Sequence, residues 1–408
     1  MSIKIFSYPM KKILCIVFLT FLMSVSFAQN KINLNQGTIL PKKYNQVIPY
    51  ENIKGKLMVK VQINKKPYKF LLDTGAPFAI SEKIFKELNL KTVDNVDLRD
   101  SSGKTEKMII TSLPDLQVGE IHFKDTPGIV FQETSAEILD CFGVDGIIGS
   151  NMLRNSVIQF DDRNKQIIIT DNAKNLALDT DVYQELVLSA SQSNPFINVI
   201  LRKGKNDASD KILIDSGAES FYEMSLDAYK FFKEKTDVIT TVAEGKGTYS
   251  WGFHGMSDLQ VQHILETPEF ILNNEKFENV RITTTEGKES RIGSKTFQFG
   301  KLTLDYRKKR FYFEPYKSID KTKVSEKTWG ISPTMKNKKF VVGIIWDKNL
   351  EKEINLEDEI LQFGSLDFQK KDFCELVKTD TDFQEKELNI VLKDIKTGKT
   401  KELKIKKL

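Results

Sequence analysis

A chain of 408 residues is longer than one ordinary hydrophobic core supports, so two or three domains are expected. Hydrophobic side chains make up 40% of it and charged ones 29%, which excludes a disordered or low-complexity protein. The formal net charge of +5 falls to +2 once residues 1–28 are set aside, leaving 58 basic against 56 acidic side chains, and that balance argues against a nucleic-acid or anionic-membrane partner.

Residues 1–28 read as a secretory signal peptide: Lys4, Lys11 and Lys12 precede an apolar run over 13–27, and Ser26, Phe27 and Ala28 offer a cleavage site. The run is shorter than the ~20 residues of a spanning helix, so an uncleaved anchor is the weaker reading. An exported protein, periplasmic or secreted, is therefore expected. Cys15 leaves with the signal. Cys141 and Cys374 fall in what read as different domains, so they are expected to be buried free thiols rather than a disulfide.

Past the signal the chain reads as mostly β. The stretch "KLMVKVQINKKPYKFLLD" predicts a hairpin turning at 64–67, whose second strand becomes apolar and ends in Asp73. "SEKIFKELNL" follows with helical spacing and Ser81 as its cap, and a hairpin closes the segment in "VIQFDDRNKQIIITD". The same order then recurs. "LIDSGA" repeats "LLDTGA" at an offset of 142, "DLQV" at 115–118 returns at 258–261, and "IGS" at 148–150 returns at 292–294. From there the register carries Asp161, Arg163 and Lys165 onto Asp305, Arg307 and Lys309, with "SLDAYKFFKEK" capped by Ser225 as the second helix. Two similar lobes are predicted, over 29–175 and 176–318.

Beyond residue 316, "KSIDKTKVSEK" reads as a charged linker. Residues 324–408 then differ from both lobes: an apolar strand in "KKFVVGIIWD", a short helix with Phe368, Phe373, Leu376 and Val377 inward, and an alternating hairpin turning at Thr397 and Gly398. This predicts a third, small α+β domain.

The notable feature is a carboxylate placed directly after three apolar residues, twice, at equivalent points of a repeat. A lone buried carboxylate is costly, but two held together share one proton, so that one can deprotonate a water while the other polarises a carbonyl. These loops, with the later "GIIGSNML", resemble the aspartic proteases of the pepsin and retropepsin type over residues 40–316. The resemblance implies two acid-protease β-barrel lobes meeting at a pseudo-twofold axis, with Asp73 and Asp215 as the catalytic pair. It further implies that Thr74 and Ser216 cross-link the two loops, that Gly75 and Gly217 allow close backbone approach, and that peptide bonds in a peptide or protein substrate are hydrolysed with neither metal nor organic cofactor. Gly103 and Gly247, at an offset of 144, are either tips of hairpins covering the cleft or plain turns. Glu219 either contacts substrate backbone or is a solvated rim charge. Pepsin-like enzymes with strongly acidic optima usually carry Ser or Thr where this chain has Ala76 and Ala218, so a weakly acidic to neutral optimum is implied. Arg291 departs from the family's apolar preference. Only a short stretch separates Ala28 from the first strand, from which no pepsin-style pro-segment control is expected.

Other chemistries lack their residues. Three histidines without an HExxH pattern supply no zinc ligand set, and no serine sits in a GxSxG setting. Residues 324–408 resemble a PDZ domain, a fold that adds an extended peptide to a sheet edge; Trp329, Gly330 and Ile331 stand where its carboxylate-binding loop is expected, and Glu357 replaces a usual glycine. The alternative there is a cap with a blocked groove. The reading is thus an exported bacterial aspartic endopeptidase with a peptide-docking domain, against a catalytically silent peptide-binding protein of the same fold.

Overall fold

The computed structural model describes residues 33–100, 104–132, 137–248, 251–252, 255–318, 320–379 and 383–408. The expected signal peptide, Gly103 and His254 lie outside these residues. Strands Lys56–Ile63 and Lys66–Asp73 form the first predicted hairpin, turning at Asn64 and Lys65, both with φ near +50° to +65°. Leu57, Val59, Val61 and Ile63 alternate into the core, as the period-2 pattern requires. The second strand is buried at Phe70, Leu71 and Leu72, where it is central: it pairs antiparallel with Lys56–Ile63 and parallel with Gly146–Gly149. Ser81 caps helix Glu82–Glu87 by accepting from the Ile84 amide. The other half repeats the plan, with Asn206–Ile214 parallel to Ser290–Ile292 and Ser225 capping helix Leu226–Lys235 through the Ala228 amide.

The two halves share one sheet. Strand Val157–Asp161 pairs antiparallel with Gly300–Asp305, joining the closing hairpin of each half, and Lys165 and Lys309 take the same left-handed turn position with φ of 49° and 54°. Phe160 stacks on Phe297 at 4.4 Å across this junction, within an apolar core that runs continuously through both halves. The fold is mostly β with barrel-like sheets, in agreement with the sequence.

Residue offsets between the halves are less uniform than the sequence suggests. The turn of the long hairpin Thr105–Val118/Ile121–Phe131 matches that of Gln260–Leu272/Glu275–Thr285 at an offset of 154. Consistently, Ala79 lies beside Ile129 in parallel register, and Glu223 beside Thr283. The repeated "DLQV" is therefore coincidental: Leu116 is buried at the end of one strand, whereas Leu259 is 56% exposed before the start of another. The offset returns to 144 because two length differences nearly cancel. The second half has 12 residues between Gly247 and Gln260 where the first has 5 between Arg99 and Thr105. The first half has 14 residues between Phe131 and Gly146, including helix Glu137–Phe142, where the second has 4 between Thr285 and Ser290.

The last segment has its own core of Ile331, Val342, Ile345, Ile360, Phe363, Ile390, Leu392 and Ile405. Its strands and short helix Phe373–Lys378 fall where the sequence places them. It is not tethered loosely. The charged linker folds into a 3-10 turn, Lys321–Ser325, seated on the second half by Val324, which is 3% exposed, and by an ion pair of Lys321 with Glu275. Cys141 and Cys374 form a disulfide, Cα to Cα 4.8 Å, which corrects the expectation of free thiols. Assigning them to separate domains hid the fact that helix Glu137–Phe142 packs directly against helix Phe373–Lys378.

Candidate active site

Asp73 ends strand Lys66–Asp73, Asp215 directly follows strand Asn206–Ile214, and the two meet at the junction of the halves. Each carboxylate is oriented by its own loop: Asp73 Oδ1 accepts from the amides of Gly75 (2.9 Å) and Ala76 (3.1 Å), and Asp215 Oδ1 from those of Gly217 (3.0 Å) and Ala218 (3.2 Å). Beneath them the hydroxyls interlock. Thr74 Oγ1 donates to the Ile214 carbonyl (2.6 Å) and accepts from the Ser216 amide (3.0 Å); Ser216 Oγ donates to the Leu72 carbonyl (2.9 Å) and accepts from the Thr74 amide (3.0 Å). Both hydroxyl residues are fully buried, so these four bonds satisfy groups with no access to water. A Cβ at Gly75 would lie 2.7 Å from Asp215 Cγ, and one at Gly217 would collide with the Asp73 carboxylate. Only glycine permits that approach.

Burial and proximity together set the protonation. Burial, then the charge of Asp215 and a hydrogen bond to it, push the Asp73 carboxyl up to about 7, against the opposing pull of the Gly75 amide and Lys56. The pair therefore holds one proton at weakly acidic pH, the state that general acid and general base chemistry by two carboxyls requires.

Two supporting residues carry no signal in the sequence. Lys56 donates to the Gly217 carbonyl (2.5 Å) and Asn194 to the Gly75 carbonyl (2.9 Å), so each catalytic-type loop is held by a side chain from the other half. Lys56 also lies 3.8 Å from Glu219, whose side chain is half exposed; Glu219 is a rim charge paired across the halves. Gly247 does not occupy a hairpin tip. It ends strand Thr240–Gly247, paired with Gln260 on one side and with Ile344 of the last segment on the other. Arg291 faces the site, with Nη1 3.6 Å from Asp215 Oδ2.

The last segment lies along this region. Val377, Met335, Phe340 and Phe373 join an apolar cluster with Met58, Leu71, Ala76 and Ile147 of the first half. Gly330 is committed internally, its amide donating to the Lys406 carbonyl (2.8 Å) and its carbonyl accepting from the Trp346 and Asp347 amides; Trp329 bridges to Lys407, and Ile331 begins the strand Ile331–Lys336. Glu357 adopts φ of 69°, the conformation for which glycine is usual, and pairs with Lys336 at 2.6 Å.

Residues 59–155 match the family of gag-polyprotein putative aspartyl proteases. Among solved structures, the aspartic proteinase from Irpex lacteus is 14% identical, with a TM-score of 0.41 over 67% of this chain and 98% of that one. Basic 7S globulin from soybean is 10% identical, with a TM-score of 0.40 over 70% of this chain and 100% of that one. No curated protein matches. The matched stretch holds Asp73 and the Gly-Ile-Ile-Gly strand beside it, and in it the chain is similar to the aspartyl proteases of that family.

Proposed function

We propose that the chain is an exported aspartic endopeptidase. The observation that carries this reading is the reciprocal Thr74/Ser216 lock, which brings two carboxyls together with one shared proton. The ionised carboxyl takes a proton from a water as its oxygen attacks the scissile carbonyl, and the protonated one donates to the carbonyl oxygen. Thr74, Ser216, Gly75 and Gly217 hold the geometry, and Glu219 stands at the rim, paired with Lys56. The last segment is a PDZ-like domain that presents peptide to the cleft.

A second reading, a silent peptide-binding protein, draws support from the cation beside Asp215 and from the apolar wall that the last segment covers. One experiment separates the two. Asp73→Asn and Asp215→Asn should each reduce cleavage of a fluorogenic peptide library at least about a thousandfold with the fold intact by circular dichroism, because each removes half of a shared proton system. Peptide binding without any hydrolysis by the wild-type chain would establish the silent reading instead.

A further inference from the structure

The pseudo-twofold relates two cross-strand pairs beside the carboxyls, and they differ in kind. In the first half Ala79 faces Ile147 in antiparallel register, an apolar pair within the cleft-side cluster. At the equivalent register of the second half Glu223 faces Arg291. The pair is replaced as a unit. Both side chains are only 14% exposed, and an ion pair at that depth is a costly substitute for two apolar residues unless its field is used.

Its geometry shows where the field points. Glu223 Oε2 accepts from Nε and Nη2 of Arg291, each at 2.6 Å, and Thr285 Oγ1 lies 3.4 Å from Nη2. The remaining nitrogen, Nη1, lies 3.6 Å from Asp215 Oδ2. The guanidinium thus stands between two carboxylates, gripped along one edge and presenting the other to Asp215. Because attraction falls with distance, the nearer cation outweighs Glu223 behind it. The other charges facing the pair are Lys56, on the far side at the Gly217 carbonyl, and Glu219, paired with Lys56.

Building on the endopeptidase reading, we propose that Arg291, fixed by Glu223, is a positioning residue that breaks the symmetry of the carboxyl pair, keeping the negative charge on Asp215 and the shared proton on Asp73. The roles follow. Asp215 accepts a proton from water as the new C–O bond forms, and Asp73 passes its proton to the carbonyl oxygen, giving a neutral gem-diol. In the second step a gem-diol hydroxyl returns its proton to Asp73, Asp215 protonates the departing amine, and the C–N bond breaks. Both carboxyls end as they began.

The test uses the full chain with the double change Glu223→Ala and Arg291→Ile, which installs the pair that the first half already packs, and with Arg291→Lys, which keeps the charge. Removing the cation makes the monoanionic pair easier to protonate. The acidic limb of kcat/KM should move up by about one pH unit in the double variant, with KM for an uncharged peptide within about twofold, and should stay near its wild-type position in Arg291→Lys. Superimposable pH profiles for wild type and double variant would overturn the assignment. A substrate-free titration of aspartate carboxyls by carbon-13 NMR reads the same shift without turnover. If the wild type hydrolyses nothing, the endopeptidase reading fails while the titration still decides whether Arg291 fixes the proton.

Discussion

The two halves differ most in length at two places, and the last segment attaches at both. The first half has the extra helix Glu137–Phe142, which carries Cys141 and meets helix Phe373–Lys378. The second half has the longer loop after Gly247, where Gly247 pairs with Ile344, the Thr248 amide donates to the Gly343 carbonyl, and Thr334 Oγ1 contacts Met256 Sδ at 3.2 Å. Elsewhere the halves keep the same strands, caps and carboxylate loops. Symmetry is thus preserved where two identical groups must face each other, and abandoned where one asymmetric element has to dock on both. The two contacts also differ in make-up: the first is apolar and cross-linked, whereas the second adds backbone pairing to a small apolar cluster of Ile264, Ile344 and Trp346.

The largest effect should come from the first contact. Val377 is 7% exposed and packs among Leu71, Met58 and Ile147, so Val377→Asp would place an unpaired carboxylate in a cluster that reaches Ala76. A cost on the order of 3 kcal/mol is expected, with loss of cleavage even of short peptides, because the cluster borders the catalytic-type loop. A second change at the same contact, Cys141→Ser with Cys374→Ser, removes a bridge over 233 residues of chain and should cost about 2–4 kcal/mol while leaving the apolar contact, and with it short-peptide cleavage, in place. Denaturant unfolding and short-peptide kinetics measure both. Undiminished short-peptide turnover in Val377→Asp would mean that the segment is a remote docking module and not part of the cleft wall.

The second contact is probed by Gly247→Ala. The added methyl would press on the Gly343 carbonyl and on Ile344, both in the last segment. A cost of about 1–3 kcal/mol is expected, confined to the pairing of the two strands. Hydrogen exchange should rise at Thr248 and Ile344 while Cys141–Cys374 and its surroundings stay protected. If protection falls equally at both attachment points, the two contacts form one cooperative unit and the contrast between them disappears.

How much of this was legible in the sequence depends on whether a feature is local. Strand alternation, the Ser81 and Ser225 caps, the Asn64–Lys65 turn and the doubled Asp-Thr/Ser-Gly-Ala loop are written within a few residues of each other, and all were readable. Asp73 and Asp215 were expected to face each other only because the repeat was recognised. What could not be read depends on contacts between distant segments. Lys56 and Asn194 look like ordinary hairpin residues until the halves meet, and the Cys141–Cys374 bridge requires knowing that two short helices touch. The compensating loop lengths were actively misleading. They returned the offset to 144, let a chance repeat of "DLQV" pass as an anchor, and made Gly247 read as a turn glycine although it ends a strand.

A subtler prediction concerns stability against pH. The Asp73 carboxyl sits near 7 in the folded chain and near the ordinary 3.8 when unfolded. Between those values the folded state holds a proton that the unfolded chain has released, so this group makes the protein less stable as pH rises from about 4 to about 7, and adds no further slope above that. Asp115, Asp161 and Asp394 are held below the usual carboxylate range by their partners and act in the opposite sense, so the difference between wild type and Asp73→Asn is the quantity to follow. Asp73→Asn should gain in Tm relative to wild type from pH 5 to pH 7.5. A constant difference across that range would place the shared proton elsewhere.

The smallest effect is expected at the residues that follow the two loops, and it again tells the halves apart. Ala76 and Ala218 supply amide donors to their carboxylates but no hydroxyl. A serine at either position can add a donor, which stabilises the anion and should move the acidic limb of kcat/KM downward, by about half a pH unit. The two substitutions should not behave alike. Ala76 packs against the apolar cluster that Val377 and Met335 complete, so Ala76→Ser sets the new hydroxyl beside apolar side chains and should also lower Tm. Ala218 lies on the side where Arg291 already faces the carboxyl pair, so Ala218→Ser should shift the limb less, because an anion stabilised by a guanidinium gains less from one more donor. Restoring the apolar pair with Glu223→Ala and Arg291→Ile should then enlarge the Ala218→Ser shift to match that of Ala76→Ser. Equal shifts in the presence of Arg291 would show that the cation leaves the pair symmetric, and an upward movement of the limb in either serine variant would show that the new hydroxyl accepts from the protonated carboxyl instead of donating to the ionised one.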